Sequence, residues 1–156
     1  MSLLSWNCRG LGNLRSVNAL KEVVKREDHN IVFLMETKSN EDWIVMVHDK
    51  CRFKHGLFVL SNGSSGELAM LWKEEVQLNV QTFSMSHIIA WVDGGSKVGW
   101  WYLFGFYGNP ETARRPESWA KLKHLRTTSS LPWLVIGDFN ELMGMSEKEG
   151  GSNRPR

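Results

Sequence analysis

The apolar positions of the chain change period several times, and each change predicts an element. Residues 2–6 form a short, largely apolar stretch running into Asn7-Cys8-Arg9-Gly10-Leu11-Gly12-Asn13, where two glycines mark a loop. Val17, Leu20, Val23 and Val24 then recur at helical spacing, with Lys21, Glu22, Lys25 and Arg26 outside, which predicts an amphipathic helix over 14–27. Residues 31–35 are apolar throughout and of strand length. A strand, helix, strand order with both strands apolar predicts a sheet covered by the helix.

Past the polar loop 36–40, Trp43, Ile44 and Val47 give a weaker helical face over 40–50. From Arg52 the pattern turns to strands, at 53–60, 67–72, 76–83, 87–92 and 98–107, separated by breaks such as Asn62-Gly63-Ser64-Ser65-Gly66 and Asp93-Gly94-Gly95. Strands that follow one another without helices predict antiparallel pairing. Pro116 suits an early helical position, and Trp119, Leu122 and Leu125 supply a stripe for a helix behind it. Pro132 interrupts, 133–136 reads as one more buried strand, and 144–156 reads as an irregular tail. The sum is an α/β chain with a long antiparallel middle, all within one domain spanning 1–156.

Composition narrows the classes. The chain has 156 residues, 42% hydrophobic and 23% charged, which is globular rather than disordered. Its net charge of +2 does not announce a nucleic-acid binder by itself. There is no apolar run long enough for a membrane span and no secretory leader pattern, so the expected location is nucleus or cytoplasm, with no membrane partner. Two cysteines and five scattered histidines make neither a disulfide scaffold nor a zinc pattern. Eight tryptophans are the outlier, and their size predicts that most lie in the core.

Candidate chemistry gathers at strand ends. Asn7, Glu36, Tyr107 and the pair Asp138 and Asn140 each close, or directly follow, an apolar strand candidate. Loops at the carboxyl ends of strands converge while the sheet holds them, so such positions are where α/β proteins bind ligands. Two carboxylates with amides suit a hard cation such as Mg²⁺, which takes oxygen ligands and often only one or two protein carboxylates. Each residue also has an ordinary reading: Asn7 as a turn residue, Glu36 as a solvated loop side chain, Tyr107 as a rim aromatic, Asp138 or Asn140 as a cap. Arg114, Arg115, Lys121, Lys123 and Arg126 form a basic cluster that reads as a solvated face or as a contact for phosphate.

In order along the chain stand Ser5-Trp6-Asn7-Cys8-Arg9-Gly10-Leu11-Gly12, Leu34-Met35-Glu36-Thr37-Lys38, Phe106-Tyr107-Gly108-Asn109-Pro110, Ile136-Gly137-Asp138-Phe139-Asn140-Glu141 and Glu147-Lys148-Glu149-Gly150-Gly151. Together these resemble the endonuclease/exonuclease/phosphatase superfamily, and most closely the endonuclease domain of plant non-LTR (LINE-type) retrotransposons. The resemblance implies a four-layer α/β sandwich of two mixed, largely antiparallel sheets flanked by helices. It implies Mg²⁺- or Mn²⁺-dependent phosphodiester hydrolysis with DNA as substrate. Glu36, assisted by Asn7, matches the metal position, and Tyr107 matches the residue that contacts the scissile phosphate. Asp138 matches the residue that handles the attacking water, and Asn140 the one that helps place it. Arg9, Asn109, Arg114 and Arg115 are further candidate phosphate contacts.

Complete members carry a later Asp and a Ser-Asp-His block, neither of which occurs before residue 156. The sequence therefore reads as the first two-thirds of such a domain, an incomplete sandwich C-terminally truncated, with the missing part and a reverse-transcriptase region expected in a parent polypeptide. Impaired catalysis follows as an expectation. The alternatives are a non-catalytic remnant that binds nucleic acid or protein, and a small-molecule or lipid phosphatase of the same superfamily.

Overall fold

A computed structural model of the chain describes residues 1–9, 13–38, 41–60, 66–107, 120, 123–124, 127 and 131–138. The order is β1 (Leu3–Asn7), α1 (Leu14–Glu27), β2 (Ile31–Met35), α2 (Glu41–Lys50), β3 (His55–Leu60), β4 (Gly66–Trp72), β5 (Leu78–Phe83), β6 (His87–Asp93), α3 (Gly95–Val98), β7 (Trp100–Tyr107) and β8 (Trp133–Asp138). The eight strands make two four-stranded sheets, ordered β1-β2-β4-β3 and β5-β6-β7-β8. In the first, β1 and β2 are parallel while β4 runs antiparallel to both β2 and β3. In the second, β5, β6 and β7 are antiparallel and β8 joins β7 in parallel. This is the expected α/β architecture of mixed, largely antiparallel sheets with flanking helices.

The fully apolar β2 needs two apolar surroundings, and it has them. Val32 and Leu34 face α1 and α2, packing with Val17, Leu20, Val24 and Val47. Ile31, Phe33 and Met35 point the other way, against Ile88, Ala90, Val92 and Leu103 of the second sheet. The period-2 alternation of a strand thus serves the helix layer and the inter-sheet layer at once. Gly105 on β7 makes the two sheets fit: a Cβ there would come within 2.6 Å of the Phe33 ring. Helix α1 starts where Asn13 caps it, its side chain accepting from the Ser16 N–H at 2.8 Å.

Two expectations need correction. Among the described tryptophans (Trp6, Trp72, Trp91, Trp100, Trp101 and Trp133) none is fully buried, and Trp91, Trp100 and Trp133 are exposed. The core is instead built from aliphatic residues with Phe33 and Phe106, while Trp91, Trp100, Tyr102, Phe104 and Trp133 form a chain of ring contacts. Several strands also begin later than their apolar runs. Phe53 is buried but follows a left-handed Arg52 (φ 62°) and still bonds back to the His48 carbonyl, so β3 starts two residues on. Val98 closes the single turn α3, and Gly99 (φ 76°) separates it from β7. The helix expected behind Pro116 lies outside the described residues except for Ala120, Lys123, His124 and Thr127, which are helical. The tail 144–156 also lies outside them.

Candidate active site

Parallel pairing sends β1 and β2 in one direction, so Asn7 and Met35 are register partners and Glu36 follows at the same edge. Parallel pairing does the same in the second sheet, where Tyr107 is the partner of Asp138. Because the sheets stack face to face, the four strand ends meet at one end of the sandwich. Residues up to 131 positions apart in sequence become neighbours there.

Asn7 joins them. Its Nδ2 donates to Glu36 Oε2 and lies 3.4 Å from Asp138 Oδ2, while its Oδ1 accepts the Arg9 N–H at 3.0 Å. That last bond, from a tight turn, fixes which end of the amide faces the carboxylates. Arg9 itself is exposed at the rim and left-handed (φ 49°). Glu36 also has positive φ (52°), and its carboxylate is 22% exposed and 3.5 Å from the Lys38 ammonium. A left-handed glutamate is uncommon backbone, here directly following Met35, which is paired on both sides.

The electrostatics favour an ionised Glu36. Burial alone would raise its pKa, but the Asn7 amide, the Tyr107 phenol and the Lys38 ammonium all stabilise the anion, and the net displacement is downward. Cys8 stands beside it without joining in: burial and the nearby Glu36 charge, against a hydrogen bond involving Met35, push its thiol up to about 12. Gly137 (φ 131°) brings Asp138 into place, since a Cβ there would fall 1.9 Å from the Phe106 carbonyl oxygen. Only glycine tolerates that close parallel approach.

Asn7, Glu36, Tyr107 and Asp138 are therefore brought to one edge, with Arg9 at its rim. Asn140, Asn109, Arg114 and Arg115 lie outside the described residues. Lys38, quoted within the Glu36 block but given no role from sequence, is an additional site residue; a cation two positions after a candidate metal carboxylate was the available signal. The β5–β6 turn is another. Ser86 accepts the Tyr107 N–H at 2.8 Å, and Ser84 Oγ lies 2.7 Å from Nδ1 of the buried His87.

As a metal site the donor set is hard. It offers carboxylate oxygens, and the thiol beside them stays protonated, which suits Mg²⁺ or Mn²⁺ rather than a soft ion. Among the described residues no group of three or more His, Cys, Asp or Glu could hold a metal.

The class defined by this fold and edge is an α/β sandwich of two stacked mixed sheets with Asn7, Glu36, Tyr107 and Asp138 gathered at one set of strand ends. The family model of the Endonuclease/Exonuclease/phosphatase family matches residues 4–155, and the chain belongs to that family. Its fold is similar to the endonuclease domain of TRAS1, a telomere-specific non-LTR retrotransposon, with TM-score 0.68 and 10% identity over 90% of this chain and 61% of that one. It is similar also to the catalytic domain of human Nocturnin with bound sulfate (TM-score 0.64, 12% identity, covering 87% and 63%). TDP2 from Caenorhabditis elegans gives TM-score 0.61 and 17% identity, covering 91% and 48%. The chain thus spans about half to two-thirds of these structures. No curated protein sequence matches it. Among the described residues no helix is long and apolar enough to cross a membrane.

Proposed function

We propose that the edge formed by Asn7, Glu36, Tyr107 and Asp138 is a metal-dependent phosphodiester-hydrolysing site of DNA-endonuclease type. The observation that carries it is the Asn7 amide, which reaches Glu36 of one sheet and lies 3.4 Å from Asp138 of the other. Two carboxylates from separate sheets, gathered around one amide, gain little as a structural device and much as a place for a cation and a phosphate. Glu36, with Asn7 beside it, would hold Mg²⁺ or Mn²⁺; when bound, the ion supplies charge stabilisation to phosphate oxygens.

The chain's own residues do the rest. Asp138 accepts a proton from the attacking water as the water oxygen bonds to phosphorus, and the P–O bond to the leaving strand breaks, the leaving oxygen taking its proton from solvent. The Tyr107 phenol, now bonded to Glu36, donates to a phosphate oxygen when substrate arrives. Asn140 assists the water, and Arg9, Asn109, Arg114 and Arg115 contact flanking phosphates. Lys38 holds Glu36 ionised. The motif series around Trp6-Asn7-Cys8-Arg9-Gly10 supports a plant LINE-type retroelement origin, with DNA as the partner.

Nicking of supercoiled plasmid by purified protein with Mg²⁺ tests this. The expected result is nicking that EDTA stops and that both Glu36→Gln and Asp138→Asn abolish. Nicking unchanged in both variants would remove the assignment. Salt-sensitive DNA association with no nicking would instead support the alternative of nucleic-acid binding without turnover.

A further inference from the structure

A second charged feature lies at the other end of the first sheet. β1 ends at Asn7 and β2 at Met35, just before Glu36, so α1 and α2, which each connect one strand end to the next strand start, finish at the far edge. β4 runs antiparallel to β2, with Trp72 opposite Ile31, and so delivers Lys73 to the same place. A five-residue strand separates the two edges by roughly 15 Å. At the far edge is a cleft of about 370 Å³, within the size range of small-ligand sites.

Its lining is strongly one-sided. Lys21 and Lys25 come from successive turns of α1, Lys50 and Arg52 from the end of α2, and Lys73 from the end of β4. Asp28, engaged by Lys73, is the single carboxylate among the described lining residues. Five of the chain's 19 cationic residues and one of its 17 acidic ones thus face a single concavity in a protein of net charge +2. The floor is apolar, made by the buried Val24 and Cys51. Lys25 and Lys50 sit at helix C-termini, where the helix dipole favours cations. Lys21, in the middle of α1, has no such dipole to favour it, and Lys73, just after β4, is matched by Asp28 alone. Like charges so grouped repel one another and are stabilised by a shared anion.

We propose that this cleft is a second anion site, separate from the carboxylate edge, that takes a terminal phosphate dianion. Cations on three elements around one concavity suit a compact, doubly charged group. A diester backbone, with one charge per residue, needs an extended track instead. The phosphate chemistry is common to a free oligophosphate and to the terminal phosphate of a nucleic-acid strand. The inference does not rest on hydrolysis at the other edge.

Isothermal titration of the full chain with pyrophosphate, and with a 5′-phosphorylated and a 5′-hydroxyl oligonucleotide of one sequence, provides the test. Saturable binding of pyrophosphate or preferential binding of the 5′-phosphorylated strand is expected. It should weaken about tenfold or more in Lys21→Gln/Arg52→Gln, tighten in Asp28→Asn, and be unchanged in Glu36→Gln. Pyrophosphate binding with equal affinity for the two strands identifies a free oligophosphate; preference for the phosphorylated strand identifies a strand terminus. No binding of pyrophosphate or of the 5′-phosphorylated strand, unchanged affinity in the double variant, weakening in Asp28→Asn, or loss in Glu36→Gln would each overturn the proposal. All four side chains substituted are at the surface or at the other edge, so circular dichroism of the folded variants accompanies each titration.

Discussion

Replacing Asn7 with alanine removes, besides the longer 3.4 Å contact to Asp138, two close bonds of different kinds, and pH separates them. The first is the Arg9 N–H to Asn7 Oδ1 bond of 3.0 Å, a neutral pair whose net contribution is about 1 kcal/mol. The second is the donation from Nδ2 to the Glu36 carboxylate, a bond to a charged group contributing about 1.5–3 kcal/mol. Near pH 7 the variant should therefore lose about 2.5–4 kcal/mol in urea unfolding. The folded pKa of Glu36 lies below the ordinary carboxylate value. Its stabilisation is thus fully present above that ordinary value and is lost as pH falls through the lowered folded value. In Asn7→Ala the lowering shrinks, so acid costs the variant less than it costs the native chain. The gap between them should narrow towards about 1 kcal/mol as pH falls below the ordinary carboxylate value and through the lowered one. A gap that stays constant from pH 7 to pH 3, or is under about 0.5 kcal/mol throughout, would refute the charge-assisted role of Asn7.

Three other outcomes follow from the packing and the thiols. Gly137→Ala places a Cβ against the Phe106 carbonyl at a φ of 131°, and should cost about 3 kcal/mol or more in thermal or urea unfolding; a loss under 1 kcal/mol would mean β8 does not pair as described. Gly105→Ala pushes on the Phe33 ring and should cost about 1–3 kcal/mol, with part recovered when Phe33→Leu is added; strict additivity of the two changes would contradict the contact. The Cys8 and Cys51 thiols, pushed up by burial to about 12 and about 11, should resist iodoacetamide at pH 8 until the chain unfolds. Rapid alkylation of folded protein, read by mass spectrometry, would count against that burial.

Much of the fold was legible because the periodicities were clean. Helix α1 falls at 14–27 and β2 at 31–35, as their apolar spacing requires. Strand starts were less legible, since Phe53, Val76 and Val98 extend the apolar runs but lie before the strands, Val98 in α3 and the others in connections that only tertiary packing decides. The tryptophans misled because burial by size ignores that a sheet has two faces, and the inter-sheet face was filled by smaller residues such as Ile88, Ala90 and Leu103. The site residues Asn7, Glu36, Tyr107 and Asp138 could be named from their positions at strand ends. Their meeting could not be derived from periodicity, because it depends on two separate parallel pairings and on the stacking of the sheets. Lys38 went unassigned for a related reason: the left-handed turn at Glu36 that carries the following loop, and Lys38 with it, leaves no mark on the hydrophobic pattern.

The central claim is that carboxylates from the two sheets form one cation site. Electron paramagnetic resonance of free Mn²⁺, titrated into the native chain, Glu36→Gln and Asp138→Asn, tests it most directly. The account predicts one bound Mn²⁺ per native chain, binding lost in Glu36→Gln and weakened in Asp138→Asn. Equal binding by all three proteins, or none by the native chain, would contradict it.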